Sequence, residues 1–334
     1  GREPQGRTMA ESTLPWVEKY RPETLEDVAA HTDIVATVNK LLGEGRLPHL
    51  LFYGPPGTGK TSTILAIARQ VYGKRAQQMS LQLNASDDRG IDVVRKNIQE
   101  FASTSRLFSN GFKLVVLDEC DAMTKDAQFA LRRVIEKYSK TTRFCLICNY
   151  VSKIIPALQS RCTRFRFQPL PETFVRDRLE YIAGQEAITM EAGATDALVT
   201  LGGGDMRRTL NILQATCMSS GVVTEDAVYD CTGSPRRGDV KQMVEWLLNS
   251  AFAEAFEKIS ELQKYKGFAL VDIVRDLHPW CFKLDMPEAA RMDLLEKLCD
   301  LEDTLAQGTN DTLQLGGLVA AFTEARAAIC ASAQ

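Results

Sequence analysis

Gly54-Pro55-Pro56-Gly57-Thr58-Gly59-Lys60-Thr61 satisfies the pattern G-x-x-x-x-G-K-[ST] at each fixed position, and the apolar run Leu50-Leu51-Phe52-Tyr53 stands directly before it. The apolar run predicts a strand. After the motif, Ile64, Leu65, Ala68, Val71 and Tyr72 recur at helical spacing and predict a helix. Strand, loop and helix in that order form a phosphate loop, so the chain is expected to bind a nucleoside triphosphate. Glycines let successive backbone N–H groups curl around phosphate oxygens, Lys60 can reach the outer phosphates, and Thr61 offers a hydroxyl to Mg²⁺. The positive end of the following helix points at the same phosphates.

The chain has 334 residues, enough for two or three domains that each bury a core. Hydrophobic residues make up 45% and charged residues 25%, ordinary values for a soluble globular protein. Forty basic against 43 acidic side chains leave a net charge of -3, so any contact with nucleic acid has to be local. No apolar run approaches the ~18 residues of a membrane span and no signal pattern opens the chain, which predicts a cytosolic or nuclear protein with no membrane partner. Nine cysteines are scattered, several of them in apolar segments. Cys145-x-x-Cys148 has no second pair at finger spacing, and the three histidines lie far off, so core thiols are expected there rather than zinc ligands. Residues Gly1 to Thr8 precede Met9 and read as an expression scar.

Up to about residue 168, β-rich runs alternate with amphipathic segments, the pattern of a parallel sheet with crossover helices. Strands are expected at Leu50–Tyr53, Met79–Leu83, Lys113–Leu117, Arg143–Cys148 and Thr163–Phe167. The clearest helix starts after Thr124, an N-cap residue, and aligns Ala127, Ala130, Leu131, Val134, Ile135 and Tyr138. From Leu170 to about Cys231 the periodicity is helical, as in a lid. The run Cys231-Thr232-Gly233-Ser234-Pro235-Arg236-Arg237-Gly238 predicts a linker. Beyond it, Met243–Leu248, Ala269–Leu277, Leu294–Leu305 and Leu313–Ala328 predict a third, all-helical region.

The buried-type strand Leu114-Val115-Val116-Leu117 ends in Asp118-Glu119, at the sheet edge where α/β folds present their ligands. This reads as a Walker B element. Asp118 would hold Mg²⁺ through water and Glu119 would orient or deprotonate the attacking water, because phosphoryl transfer rests on positioning and charge neutralisation. Two adjacent acids at a helix start also fit plain N-terminal decoration, but the phosphate loop beside them favours the first reading. Asn149 closes the next apolar strand and falls near the same edge.

The order phosphate loop, Asp118-Glu119, Asn149, Ser160-Arg161-Cys162 and Gly204-Asp205-Met206-Arg207 resembles the AAA+ ATPases, and within them the clamp loaders. Trp16-Val17-Glu18-Lys19-Tyr20-Arg21-Pro22 and Leu83-Asn84-Ala85-Ser86-Asp87-Asp88-Arg89-Gly90 are similar to boxes of replication factor C small subunits, and the likeness spans most of residues 14–215. The stretches Phe144–Tyr150 and Lys153–Cys162 are closest to one of those subunits. The resemblance implies an α/β AAA+ P-loop NTPase core over residues 9–168, a helical lid over 169–233 and a helical collar over 234–334. It implies ATP and Mg²⁺ as cofactors. The partners it implies are the other replication factor C subunits in a heteropentamer, the PCNA sliding clamp and primer–template DNA, in the nucleus. Val17, Arg21, Gly54, Pro55, Gly57, Thr58, Gly59, Lys60, Thr61, Ser62, Asn149 and Arg207 would then bind nucleotide, with Thr61 and Asp118 at the metal. Asn149 is implied as sensor 1, Arg207 as sensor 2 from the lid, and Asn84 as a restraint on Glu119. Arg161 matches the arginine finger that reaches a neighbouring subunit's ATP. By pattern alone, Arg161 is equally a surface arginine beside Arg164 and Arg166, which alternate with Phe165 and Phe167 as on a half-buried strand.

Arg89, Arg95 and Lys96 flank the start of a helix expected from about Asp92 to Phe101, where they could meet DNA phosphates; a solvated basic face fits the same pattern. Phe101, Leu107 and Phe108 follow in a Ser-rich segment, either as an exposed tip facing the clamp or tucked into the core. Two functions therefore stand: a clamp-loader subunit that hydrolyses ATP, and a structural subunit that holds nucleotide and acts through its finger. The intact Glu119 favours the first.

Overall fold

The structure is a computed structural model that describes residues 14–22, 24–25, 27, 29–85, 91–103 and 112–332. Five parallel strands form one sheet: β1 (His49–Tyr53), β2 (Ser80–Asn84), β3 (Lys113–Asp118), β4 (Thr142–Cys148) and β5 (Cys162–Arg166), in the order β2-β3-β4-β1-β5. Each expected strand is present within a residue or so of its expected ends. The loop-bearing strand β1 lies between β4 and β5, so the phosphate loop and the end of β4 share one edge.

The strands are apolar on both faces because both faces are covered, as a parallel sheet requires. Leu51, Val115, Leu117, Phe144, Leu146 and Cys148 form one core with Ile98, Leu131, Val134 and Ile135. Leu50, Phe52, Leu114, Val116, Cys145 and Ile147 form the other with Val38, Ile64, Ile67 and Ala68. This alternation sets Cys145 and Cys148 on opposite sides of the sheet, so no single metal ion can touch both. Burial pushes both thiols up, Cys148 to about 12.

The helices before the second unit are α1 (Trp16–Lys19), α2 (Thr32–Gly43), α3 (Lys60–Tyr72), α4 (Ala76–Met79), α5 (Ile91–Ser103), α6 (Lys125–Tyr138), α7 (Pro156–Gln159), α8 (Glu172–Glu186), α9 (Ala192–Gly202) and α10 (Met206–Ser220). Thr124 caps α6 as its sequence suggests, its hydroxyl accepting Ala127 N at 3.3 Å.

By packing, the chain divides into two compact units at Cys217/Met218, inside α10. The second unit holds α11 (Glu225–Thr232), α12 (Arg237–Asn249), α13 (Phe252–Lys266), α14 (Leu270–Cys281), α15 (Glu288–Ala306) and α16 (Asp311–Ser332). Its core joins Val240, Met243, Leu247, Ile259, Ile273, Leu277, Leu294, Leu318 and Phe322. The Gly/Pro-rich stretch is a short connection over residues 233–236, pinned where Arg236 pairs with Asp226 and Asp230, each at 2.6 Å. Helix α13 has no counterpart in the sequence reading. It buries only Ala255 and Ile259 fully, too thin a stripe to show as periodicity.

Candidate nucleotide site

β1 ends at Tyr53 and α3 begins at Lys60, so residues 54–59 make the loop between them. Gly54 has φ +144°, and a Cβ there would fall 2.0 Å from the Phe167 carbonyl oxygen, which rules out other residues. Lys60 is buried and donates from Nζ to the carbonyls of Gly54 and Pro55 at 2.7 Å each, and to Asn149 Oδ1 at 3.0 Å. Burial pulls its ammonium below the usual lysine range, with the Asp118 carboxylate acting the other way. The loop lysine and the end of β4 are thus joined directly.

Thr61 Oγ1 donates to Asp118 Oδ2 at 2.7 Å, which links the start of α3 to the end of β3. The other Asp118 oxygen accepts Glu119 N at 2.9 Å. Glu119 is exposed and left-handed at φ 54° and ψ 37°, a conformation that costs a side chain about 1–2 kcal/mol. Strain of this kind gathers where geometry serves function. Asn84 pairs in register with Asp118 across β2 and β3, and both line the same cavity. Thr61 and Asp118 are hard oxygen donors that already meet. Such a set suits Mg²⁺, which takes one or two protein oxygens and fills the remaining positions with water and phosphate.

The cavity, about 290 Å³, lies over the loop and is lined by every residue expected at the nucleotide except Gly54 and Pro55, which face a neighbouring cleft beside Asn149. Val17 and Arg21 reach it from the N-terminal segment and Arg207 from the start of α10. Several lining residues escaped the sequence reading: Leu170, Phe174 and Leu210 supply an apolar wall. As isolated apolar residues they carry no signal that separates a ligand wall from core. The N-terminal segment is strapped to helices α8 and α10. Arg178 donates to the Tyr20 carbonyl at 2.8 Å, Trp16 N donates to Gln214 Oε1 at 3.1 Å, and Lys19 and Tyr20 both meet Glu186. Asp121 also went unnoticed. Its Oδ2 accepts the backbone N–H groups of Asn149 and Tyr150, each at 3.2 Å, and so fixes the strand end that presents Asn149.

Arg161 does not line this cavity. It follows α7 on an exposed face, where Nη1 donates to the Ala157 carbonyl at 2.6 Å and Nη2 meets Glu136, a carboxylate shared with Arg132. Those arginines hold Glu136 below the usual carboxylate range, Arg132 first. Lys96 is exposed on α5, which also carries Arg95, whose side chain is outside the described set. Phe101 is half-buried, packs against the core and lies 5.0 Å from the Lys113 ammonium at its ring centre. Arg89, Leu107 and Phe108 lie outside the described residues.

Residues 50–170 match the ATPase family associated with various cellular activities (AAA), and residues 235–321 match the Replication factor C C-terminal domain. Replication factor C subunit 3 of Oryza sativa is 56% identical, over 100% of this chain and 93% of its own length. Replication factor C subunit 5 of Homo sapiens is 56% identical over 96% and 94%, and Replication factor C subunit 3 of Saccharomyces cerevisiae 48% identical over 94% of each. Among solved structures, the RuvB Holliday junction branch migration motor of Thermotoga maritima aligns with a TM-score of 0.51 at 14% identity, over 72% of this chain and 85% of that one, a likeness of fold. Because both halves are matched and the relatives run alike from end to end, this chain belongs to the replication factor C family, the AAA+ ATPases of clamp loading.

Proposed function

We propose that this chain binds ATP with Mg²⁺ and hydrolyses it as one subunit of a heteropentameric loader in the nucleus, which opens PCNA and places it on primer–template DNA. The division of labour in the site carries the reading: loop, acidic strand end and lid arginine meet in one cavity, while Arg161 stands apart on an exposed face. Residues 9–168 form the ATPase core, 169–233 the lid and 234–334 the collar of the pentamer.

When bound, ATP supplies the phosphoryl group with its negative charge, and Mg²⁺ would supply positive charge that offsets it. Lys60 and the loop N–H groups bind phosphate oxygens, and Thr61 and Asp118 hold the metal. Glu119 orients the attacking water and takes its proton, Asn149 orients from the end of β4, and Arg207 senses the terminal phosphate from the lid. Arg161 acts on the neighbour's nucleotide, which explains why it is held outside its own cavity. Arg89, Arg95 and Lys96 meet DNA phosphates without reading sequence. Phe101, Leu107 and Phe108 contact the clamp.

The test is DNA- and PCNA-stimulated ATP hydrolysis by the reconstituted pentamer carrying Glu119→Gln or Arg161→Ala in this chain alone. Both are expected to lower turnover at the site concerned by more than about tenfold, and Glu119→Gln to leave ATP binding intact. If Glu119→Gln changes nothing while Arg161→Ala still lowers turnover, the chain is a nucleotide-holding structural subunit.

A further inference from the structure

One carboxylate holds the turn that brings Arg207 to the cavity. Asp205 stands just before α10, and its Oδ1 accepts the backbone N–H groups of Arg207 at 2.8 Å and Arg208 at 3.1 Å. A helix start leaves such donors without partners, and an acceptor here fixes the first turn. The Asp205 carbonyl takes Thr209 N at 3.0 Å and Thr209 Oγ1 at 2.8 Å, so the turn is bound to this residue at both its ends.

The same oxygen lies against the phosphate loop. A Cβ built on Gly57 would fall 1.6 Å from Asp205 Oδ1, and Met206 N donates to the Gly57 carbonyl at 3.3 Å. Gly57 fills a free position of the loop pattern, where phosphate binding alone asks for no particular residue. Its φ of +66° and the carboxylate beside it supply the reason for glycine.

We infer that Asp205 is a positioning residue: its carboxylate caps the helix bearing Arg207 and seats that helix on the phosphate loop through Gly57, so that lid and loop hold the arginine in place together. The inference rests on the reading of Arg207 as the lid arginine that senses the terminal phosphate. Without the cap, the first turn of α10 frays, and Arg207 is the second residue of that turn. The loss falls on ATP rather than ADP, because only ATP carries the phosphate that Arg207 meets.

The test compares wild type, Asp205→Ala, Asp205→Asn and Arg207→Ala in the full chain. Fluorescence titration gives the affinities for ADP and a slowly hydrolysed ATP analogue, and thermal midpoints are read without nucleotide. Arg207→Ala sets how much ATP-over-ADP preference the lid arginine provides. Asp205→Ala is expected to weaken the ATP analogue about tenfold, as losing a strong cap does, and to change ADP by less than about twofold. Asp205→Asn keeps the preference, since its amide oxygen accepts the same two N–H groups. The double variant Asp205→Ala/Arg207→Ala is expected to be no worse than Arg207→Ala. A lower midpoint with the preference intact in Asp205→Ala makes the residue merely structural and overturns the inference while Arg207 keeps its role. If Arg207→Ala also keeps the preference, the lid-arginine reading itself fails and takes the inference with it. Should Asp205→Ala not fold, Asp205→Ser decides, because its hydroxyl still caps but is too short to reach Gly57. A part of the preference is then expected to go, and its full retention overturns the seating on the loop.

Discussion

At His49 the imidazole works as an acceptor and stays neutral. Nδ1 takes Phe144 N at 3.2 Å, and burial, then the nearby Arg143 charge, pushes its pKa down to about 4. In the unfolded chain the same ring takes its proton near pH 6.5. Between those values the unfolded state binds more protons than the folded one, so stability is complete above about pH 6.5 and drains as pH falls toward 4. His31 is shifted the same way by burial and adds to the slope. The thermal midpoint is therefore expected to drop less between pH 7 and pH 5 in His49→Gln than in wild type; equal drops would remove His49 from the account. The meeting of Lys60, Thr61 and Asp118 in one cavity is legible in the sequence because the loop motif and an acid at the end of an apolar strand are local patterns. The left-handed backbone at Glu119 and the anchoring of Asn149 by Asp121 are not, since each arises only when segments distant in sequence close on each other.

Among the elements, α6 carries more than its apolar stripe shows. Gln128 is 1% exposed, and its amide spans three backbone groups: Nε2 donates to the Met123 carbonyl at 3.2 Å and the Lys153 carbonyl at 3.0 Å, and Oε1 accepts Ile155 N at 2.8 Å. It thereby ties the turn after β3 to the segment between β4 and α7. Replacing it with leucine keeps the volume, leaves the buried Ile155 N–H without its acceptor, and takes a donor from the Met123 and Lys153 carbonyls. Gln128→Leu is expected to lower stability by about 2–4 kcal/mol in denaturant unfolding, against the gain of burying an apolar side chain. A loss below about 1 kcal/mol would mean that water reaches these groups. The five strands and the capped start of α6 were readable because buried parallel strands and an N-cap threonine are local patterns. Gln128 sits among apolar residues at helical spacing, where a lone polar residue gives no hint of its partners. Helix α13 was missed for the opposite reason, too little burial to make a stripe.

For the whole molecule, the feature with the longest reach is the ion pair at Arg161. Its side chain is 34% exposed and that of Glu136 41%, so water and salt have access to both. Charges this open are screened within about 10 Å at 0.1 M salt, and a single such pair contributes little to folding. The nucleotide cavity holds its own groups differently, with Lys60 buried among carbonyls. On the proposed reading, raising salt from 50 to 300 mM lowers turnover by the assembled loader more steeply than it lowers ATP affinity of the isolated chain. With Glu136→Gln, which removes the charge that steers the guanidinium, turnover is already low at 50 mM and depends less on salt. Parallel slopes in wild type and Glu136→Gln would detach Glu136 from the proposed finger. On that reading, an ion pair that adds little to stability would make the machine's rate depend on its ionic surroundings, while its hold on fuel would not.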